Sequence, residues 1–136
     1  MKLNVRRDDI QFGENILDVE VPKALRKKIK SGLEYFDCAL GGEGFTPSQV
    51  LFFTGTPGSG KTTMLLTLAD RLTKSGALVV FNTAEESLYQ VKLIAERLRL
   101  KSGFQVGQET LVPTLLEKCD SLRNKAGNKN KPFFLL

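Results

Sequence analysis

The sequence predicts an α/β fold in which a parallel sheet is flanked by helices. Three apolar runs rich in β-branched and aromatic residues, 49–54, 77–83 and 132–136, indicate strands. Amphipathic helical patterns separate these runs, and strands that alternate with helices favour a parallel sheet. The chain has 136 residues, the usual size of one domain.

The elements before the loop at residue 55 are short. Residues 16–21 alternate apolar and polar side chains and predict an edge strand. Three apolar side chains then recur at helical spacing: Leu33, Phe36 and Leu40. Gly41 and Gly42 end this helix in the prediction, because glycine tolerates the left-handed conformation found at helix C-termini. The run 49–54 predicts a strand buried on both faces.

A longer helix is predicted over 62–74, and Gly76 supplies its C-terminal stop. Its core face consists of Met64, Leu65, Leu68 and Leu72. Ser87 is the expected N-cap of the next helix, which runs to about Leu100. That helix has its core face at Leu88, Val91, Ile94 or Ala95, and Leu98. After a turn region, Pro113 suits the first turn of a last helix, and a polar loop leads into the final strand.

Composition excludes several kinds of site. The chain has no histidine and only two cysteines, Cys38 and Cys119, so a structural zinc site with four ligands has too few candidates. We therefore expect no zinc, two free thiols and no Ser-His or Cys-His catalytic pair. No apolar run approaches the ~18 residues of a membrane span. Residues 1–30 show no signal-peptide core, so we expect a cytoplasmic protein without a membrane partner.

The net charge is +5, and most of the excess lies between Glu117 and Pro132, which hold five basic and two acidic residues. A basic excess is compatible with a polyanionic partner such as DNA. A run of charges is more often just a solvated loop, and charge alone does not establish a polyanionic partner.

The segment between the first predicted strand and the longer helix matches the pattern G-x-x-x-x-G-K-[ST]. The expected nucleotide-binding residues are Gly55, Thr56, Pro57, Gly58, Ser59, Gly60, Lys61, Thr62 and Thr63. Glycines allow successive backbone N–H groups to converge on one oxyanion, and the helix N-terminus adds unpaired N–H groups. Lys61 is expected to reach the β- and γ-phosphates, and the hydroxyl of Thr62 to coordinate Mg²⁺. The motif predicts a bound nucleoside triphosphate, with ATP and Mg²⁺ as cofactors, although the residues alone do not distinguish adenine from guanine.

Two acidic residues, Glu85 and Glu86, follow the second predicted strand. In a doubly wound sheet this point lies at the carboxyl edge, where ligands bind. A carboxylate there is suited to orient a water that attacks the γ-phosphate. Acidic residues also favour helix N-termini for electrostatic reasons, and spacing alone leaves both roles open.

From Ile29 to Leu136 the chain resembles the RadA/Sms-like DNA-repair ATPases, a branch of the RecA superfamily close to KaiC-like and DnaB-like ATPases. The lead-in to the loop carries Ser31-Gly32-Leu33, Phe36-Asp37, Leu40-Gly41-Gly42 and Gly44-Phe45. Further matches are Thr83-Ala84-Glu85-Glu86-Ser87, Lys92-Leu93, Ala95-Glu96-Arg97-Leu98 and Glu109-Thr110-Leu111. The loop motif is common to the whole superfamily, whereas the Glu-Glu-Ser and Ala-Glu-Arg-Leu pieces are more specific.

The resemblance implies a P-loop NTPase with a RecA-like parallel sheet flanked by helices. It makes 1–28 an N-terminal extension and 29–136 the N-terminal part of a RecA-like ATPase domain. It implies that Glu85 activates the hydrolytic water. Lys61, which the loop motif places at the β- and γ-phosphates, is the other expected catalytic residue. The resemblance also implies that the complete protein is a DNA-dependent ATPase working on DNA as a homo-oligomeric ring or filament. Alternative interpretations are a DnaB-like helicase or KaiC-like ATPase, and a nucleotide-binding fragment without hydrolysis of its own.

The chain also departs from the family pattern. Residues 1–30 lack the family's four-cysteine zinc motif, Ser48 stands where the family usually has glycine, and 121–131 resemble an insertion. The Walker B aspartate is expected directly after Leu136, so we expect the domain to be incomplete at the C-terminus. RecA-type sheets place a strand from later sequence between the loop strand and the Walker B strand. Without it, both flanking strands are expected to face a gap.

Overall fold

A computed structural model describes residues 12–136 of the chain. Residues 1–11, part of the predicted N-terminal extension, lie outside the described residues. The helices are α1 (Lys23–Arg26), α2 (Glu34–Ala39), α3 (Lys61–Lys74), α4 (Leu88–Arg97) and α5 (Val112–Arg123). The strands are β1 (Leu78–Asn82), β2 (Gln105–Gly107) and β3 (Phe133–Leu135). The predicted succession of helices with the second and third strands is confirmed.

The three strands form one parallel sheet in the order β2-β1-β3. Val80 lies opposite Gln105 on one side and opposite Leu135 on the other, which fixes the register. The first four residues of β1 are buried, as expected for the central strand of a parallel sheet. The fold is therefore an α/β fold with a parallel sheet flanked by helices, as the sequence predicts.

Helix α3 packs on β1 and contributes four buried side chains to the core. Its Leu68, Ala69 and Leu72 pack in a cluster that includes Val79, and all four are at most 1% exposed. Leu66 packs in a second cluster with Phe81 and Val91 of α4. The predicted core face contains Leu68 and Leu72 but omits Leu66. Burial of both Leu66 and Leu68 shows that α3 is covered over more than one stripe.

Helix α3, which follows the glycine-rich loop, has a defined backbone motif at its C-terminus. Gly76 has φ +92°, its N–H donates to the carbonyl of Thr73, and Ala77 N–H donates to the carbonyl of Leu72. This pair of bonds is the Schellman motif, which satisfies carbonyls left over at a helix C-terminus. Gly41 ends α2 with the same pair of bonds. Both glycine stops are confirmed.

Polar contacts fix the segment that leads into the loop. The N–H of Ser31 donates to the buried carboxylate of Asp37 at 2.8 Å. Ile29 and Phe45 form an antiparallel bridge with N–H···O distances of 2.9 and 2.8 Å. Gly44 has φ +89°, and a Cβ there would collide with the backbone of Ile29. These contacts give the Ser-Gly, Phe-Asp and Gly-Phe pieces of the sequence a structural role.

Two predicted strands do not form in the described residues. Residues 16–21 lie in turns and coil, and Ile16, Leu17 and Val21 are exposed. The run 49–54 also makes no strand pairing, and Val50 and Phe52 are 79% and 89% exposed. A parallel strand needs a hydrogen-bonding neighbour. Instead, Leu51 and Phe53 line a groove of about 300 Å³ that also borders Phe133–Leu136. The prediction of a strand buried on both faces was wrong here.

One strand, β2, was not predicted from the sequence. Residues 105–107, inside the predicted turn region, pair with β1 through Gln105, Val106 and Gly107. The strand is three residues long and half exposed, so it lacks the long apolar run that marks a buried strand.

Candidate phosphate-binding site

The glycine-rich loop of residues 55–60 is compact and depends on glycine at specific positions. Gly58 and Gly60 have φ +76° and +89°, the left-handed region that favours glycine. The N–H of Ser59 donates to the carbonyl of Thr56 at 3.2 Å and closes a turn. A Cβ at Gly55 would lie 2.6 Å from the Oγ of Ser59, so a side chain there would require that hydroxyl to rotate away.

Lys61 turns its ammonium back onto the start of the same loop. Its Nζ donates to the carbonyl oxygens of Gly55 at 2.9 Å and Thr56 at 3.0 Å. An ammonium carries three N–H donors, and two of them are used here. The third has no partner among residues 12–136. The charge is thus already placed at the loop by the fold.

The first turn of α3 leaves backbone donors at the same place. Gly60 is the N-cap and no side chain caps the helix. The N–H groups of Lys61, Thr62 and Thr63 belong to the first turn, where an α-helix offers no internal acceptors. They carry the positive end of the helix dipole, which favours an anion. Residues 55–63 therefore combine free N–H donors with one cation.

The structure brings only one of the two glutamates to the loop. Glu86 is half-buried, and its Oε1 lies 3.5 Å from the hydroxyl oxygen of Thr62. Glu85 is exposed, and its carboxylate makes no hydrogen bond or ion pair within residues 12–136. The contact of Glu86 with Thr62 is the feature that sequence reasoning missed. Spacing placed both acids at the carboxyl edge of the sheet but gave no means of choosing between them.

Ser87 caps α4 directly after the two glutamates. Its hydroxyl accepts the N–H of Gln90, and the side chain of Gln90 accepts the N–H of Ser87, which is a complete capping box. The predicted N-cap is confirmed. The cap fixes where α4 begins and hence how the preceding acids are presented.

Asn82, the last residue of β1, ties a neighbouring loop to the same edge of the sheet. Its amide exchanges two hydrogen bonds of 2.9 Å with the backbone of Glu109. The carboxylate of Glu109 pairs with Lys118 at 2.6 Å and accepts the N–H of Leu111. The Lys118 side chain, with a smaller contribution from the Leu111 N–H, lowers the pKa of Glu109. The Glu-Thr-Leu piece of the sequence therefore holds α5 against the sheet.

The basic segment 117–132 contains both paired and unpaired cations. Lys118 pairs with Glu109, and Arg123 pairs with Asp120 at 3.4 Å and lies over the ring of Phe133. The remaining lysines of this segment are exposed: Lys125, Lys129 and Lys131. They form no ion pair with any residue between 12 and 136.

Comparison with known proteins finds several relatives named DNA repair protein RadA. The chain is 30% identical over 105 residues to the DNA repair protein RadA of Listeria monocytogenes, covering 76% of this chain and 23% of that protein. It is 38% identical over 92 residues to RadA of Streptococcus pneumoniae, covering 67% and 21%. RadA of Brucella abortus is 31% identical over 110 residues, covering 80% and 23%. No family model matches the chain.

The parallel sheet, the glycine-rich loop and the helix that follows it define a partial RecA-like P-loop fold. Within that class the chain is RadA-like, as its relatives show over most of its length. It spans about a fifth to a quarter of the length of these relatives. Among the helices between Phe12 and Leu136, none has the length and apolarity needed to cross a bilayer.

Proposed function

We propose that residues 55–63 bind the polyphosphate of a nucleoside triphosphate, ATP with Mg²⁺. The observation that carries this proposal is the position of Lys61. Its ammonium lies at hydrogen-bond distance from two loop carbonyls, beside a helix N-terminus without a side-chain cap. A cation and free N–H groups that converge on one point suit an oxyanion.

The side chains around Thr62 fit the metal as well. Mg²⁺ prefers oxygen ligands, and the hydroxyl of Thr62 and the carboxylate of Glu86 lie on the same side of the loop. When bound, Mg²⁺ neutralises phosphate charge and polarises the phosphoryl oxygens. Thr62 would hold it, Lys61 would neutralise the remaining charge, and the N–H groups of the first turn would fix the phosphate chain.

Binding is tested by titrating the 136-residue chain with a fluorescent ATP analogue in the presence of Mg²⁺. We expect Lys61→Ala to weaken binding by about ten- to a hundredfold, since a hydrogen bond to a charged group contributes about 1.5–3 kcal/mol. Lys74→Ala is the matched control, because Lys74 is the exposed lysine at the other end of the same helix. Equal affinity of the two variants would contradict the assignment of the loop.

For the protein to which this RadA-like chain belongs, we propose that ATP hydrolysis is coupled to action on DNA in a homo-oligomer. The relatives' name, DNA repair protein RadA, supports the action on DNA, whereas hydrolysis and the homo-oligomer rest on the resemblance described above. The exposed position of Glu85 at the carboxyl edge of the sheet leaves its carboxylate available to a water, in keeping with the role that the resemblance implies.

Two measurements on that protein separate the parts of this proposal. DNA should stimulate hydrolysis. Glu85→Gln should keep nucleotide binding but lose most hydrolysis. Turnover that is unchanged in Glu85→Gln removes Glu85 from the mechanism, and turnover that does not respond to DNA removes the coupling.

A further inference from the structure

The acids Glu85 and Glu86 are neighbours in sequence but occupy different environments. Glu85 is exposed, whereas Glu86 is half-buried with its Oε1 3.5 Å from the Thr62 hydroxyl. The two carboxylates can therefore contact different groups. Glu86 is the carboxylate that the fold brings to the residue expected to hold the metal.

Hydrogen bonds to Thr83, directly after β1, hold the backbone of Glu86 in place. The hydroxyl of Thr83 accepts the N–H of Glu86 at 3.0 Å and donates to its carbonyl at 3.2 Å. Thr83 is buried, and its own N–H donates to the carbonyl of Gly107 at the end of β2. This chain of contacts fixes the backbone of Glu86 relative to the sheet, so the carboxylate is presented to α3 whenever the sheet is formed.

The chemistry of a hydroxyl defines what this carboxylate does for Thr62. A threonine hydroxyl has one O–H donor and two lone pairs, and its proton rotates to suit its surroundings. A carboxylate is a pure acceptor, so the proton of Thr62 turns toward Glu86. Both lone pairs of the oxygen are then left for a cation. A distance of 3.5 Å is longer than the 2.7–2.8 Å typical of a strong O–H···O bond, so the contact orients the hydroxyl without locking it.

Building on the nucleotide site proposed above, we propose that Glu86 is a positioning residue for the divalent cation. It accepts the proton of Thr62 and aims the lone pairs of that hydroxyl at the metal. Glu85 has no part in this and stays available for the attacking water. The two neighbouring acids thus have separate roles: Glu86 positions the metal ligand, and Glu85 faces the attacking water.

The test measures metal binding rather than turnover. Mn²⁺ is titrated by electron paramagnetic resonance into the chain saturated with a non-hydrolysable ATP analogue, and analogue binding is also measured in EDTA. We expect Glu86→Gln to weaken Mn²⁺ binding by about tenfold or more, as for other residues that orient a metal ligand. Binding of the analogue in EDTA should be unchanged. Glu85→Gln should leave both measurements unchanged and serves as the matched control.

A double-mutant cycle separates positioning from a general structural effect. Thr62→Val removes the hydroxyl, so adding Glu86→Gln to it should cost much less Mn²⁺ affinity than Glu86→Gln costs alone. Thr62→Ser keeps the hydroxyl and should keep the dependence on Glu86. Additive losses, or a loss in Glu85→Gln instead, would overturn the assignment of Glu86.

Different results would rule out the role of Glu86 and the nucleotide site. A chain that binds the analogue and Mn²⁺ normally but does not respond to Glu86→Gln refutes the role of Glu86 alone. A chain that binds no analogue, with Mn²⁺ or in EDTA, refutes the nucleotide site and with it the role of Glu86. Thermal unfolding of each variant shows whether a loss reflects misfolding, and the Thr62 cycle then decides among folded variants.

Discussion

Ser48 offers a direct test of backbone strain in the segment before the loop. It has φ +62°, the left-handed region that side chains other than glycine rarely adopt. Pro47 precedes it, and the N–H of Gln49 donates to the carbonyl of Thr46 at 3.3 Å. Proline at the second position and positive φ at the third are typical of a type II turn, which favours glycine at that third position. We therefore expect Ser48→Gly to stabilise the chain.

The size of the gain follows from two opposing effects. Relief of the left-handed strain is worth about 1–2 kcal/mol. Glycine gives part of that back, because its greater freedom in the unfolded chain costs about 0.5–1 kcal/mol. The side chain of Ser48 is exposed and makes no hydrogen bond within residues 12–136, so its removal loses no contact. The net expectation is a gain of about 0.5–1 kcal/mol.

Urea denaturation followed by circular dichroism measures this gain as a shift in the midpoint at unchanged slope. A thermal scan should show a rise of about 2–4 °C, given the size of the chain. Ser48→Ala is the control, because it removes the same hydroxyl and keeps the strain. If Ser48→Gly unfolds no later than Ser48→Ala, the turn is not strained at this residue and the reasoning fails.

Three further predictions concern the scaffold of the site. Gly44→Ala should lower the stability clearly, and by more than Gly42→Ala, because only at Gly44 does a Cβ collide with backbone atoms, and urea midpoints check this order. Burial raises the pKa of the Cys119 thiol, so iodoacetamide at pH 8 should label the exposed Cys38 and spare Cys119 in the folded chain; equal labelling by mass spectrometry would contradict the burial. The pKa of Glu109 is lowered in the folded chain, so its contribution should be complete above pH 5 and lost as the pH falls below its usual value of 4.5, and the stability difference from Glu109→Gln should shrink over that range.

The C-terminal ends of the helices could be predicted from the sequence in two cases but not in a third. Helices α2, α3 and α4 all end in the same pair of backbone bonds. Gly41 and Gly76 occupy the left-handed position in the first two, and glycine is the signal that made those ends predictable. In α4 the same position is Arg99, with φ +53°, and the helix ends at Arg97 rather than near Leu100. The motif is the same, but an arginine gives no local sign of it.

Strand prediction failed for a different reason. The run 49–54 has the composition of a strand buried on both faces, but that composition describes side chains and not a hydrogen-bonding neighbour. In the described chain β1 is paired on both sides, by β2 and β3, and no strand lies beside 49–54. Conversely, β2 has weak composition but a partner in β1, so it forms. For strands this short, pairing outweighs local propensity.

The same contrast explains why the loop keeps its shape although the run before it is unpaired. The contacts that shape the loop are local: Lys61 donates to the carbonyls of Gly55 and Thr56, six and five residues earlier in the chain. After the loop, the buried leucines of α3 pack against β1, whereas before the loop Phe53 is 40% exposed and stacks on Phe36 at 5.7 Å. The N–H donors and the cation of the candidate site thus belong to the well-packed side. The loop motif could be recognised in the sequence because its geometry depends on residues close together in the chain. Which of Glu85 and Glu86 lies near Thr62 could be seen only in the three-dimensional fold.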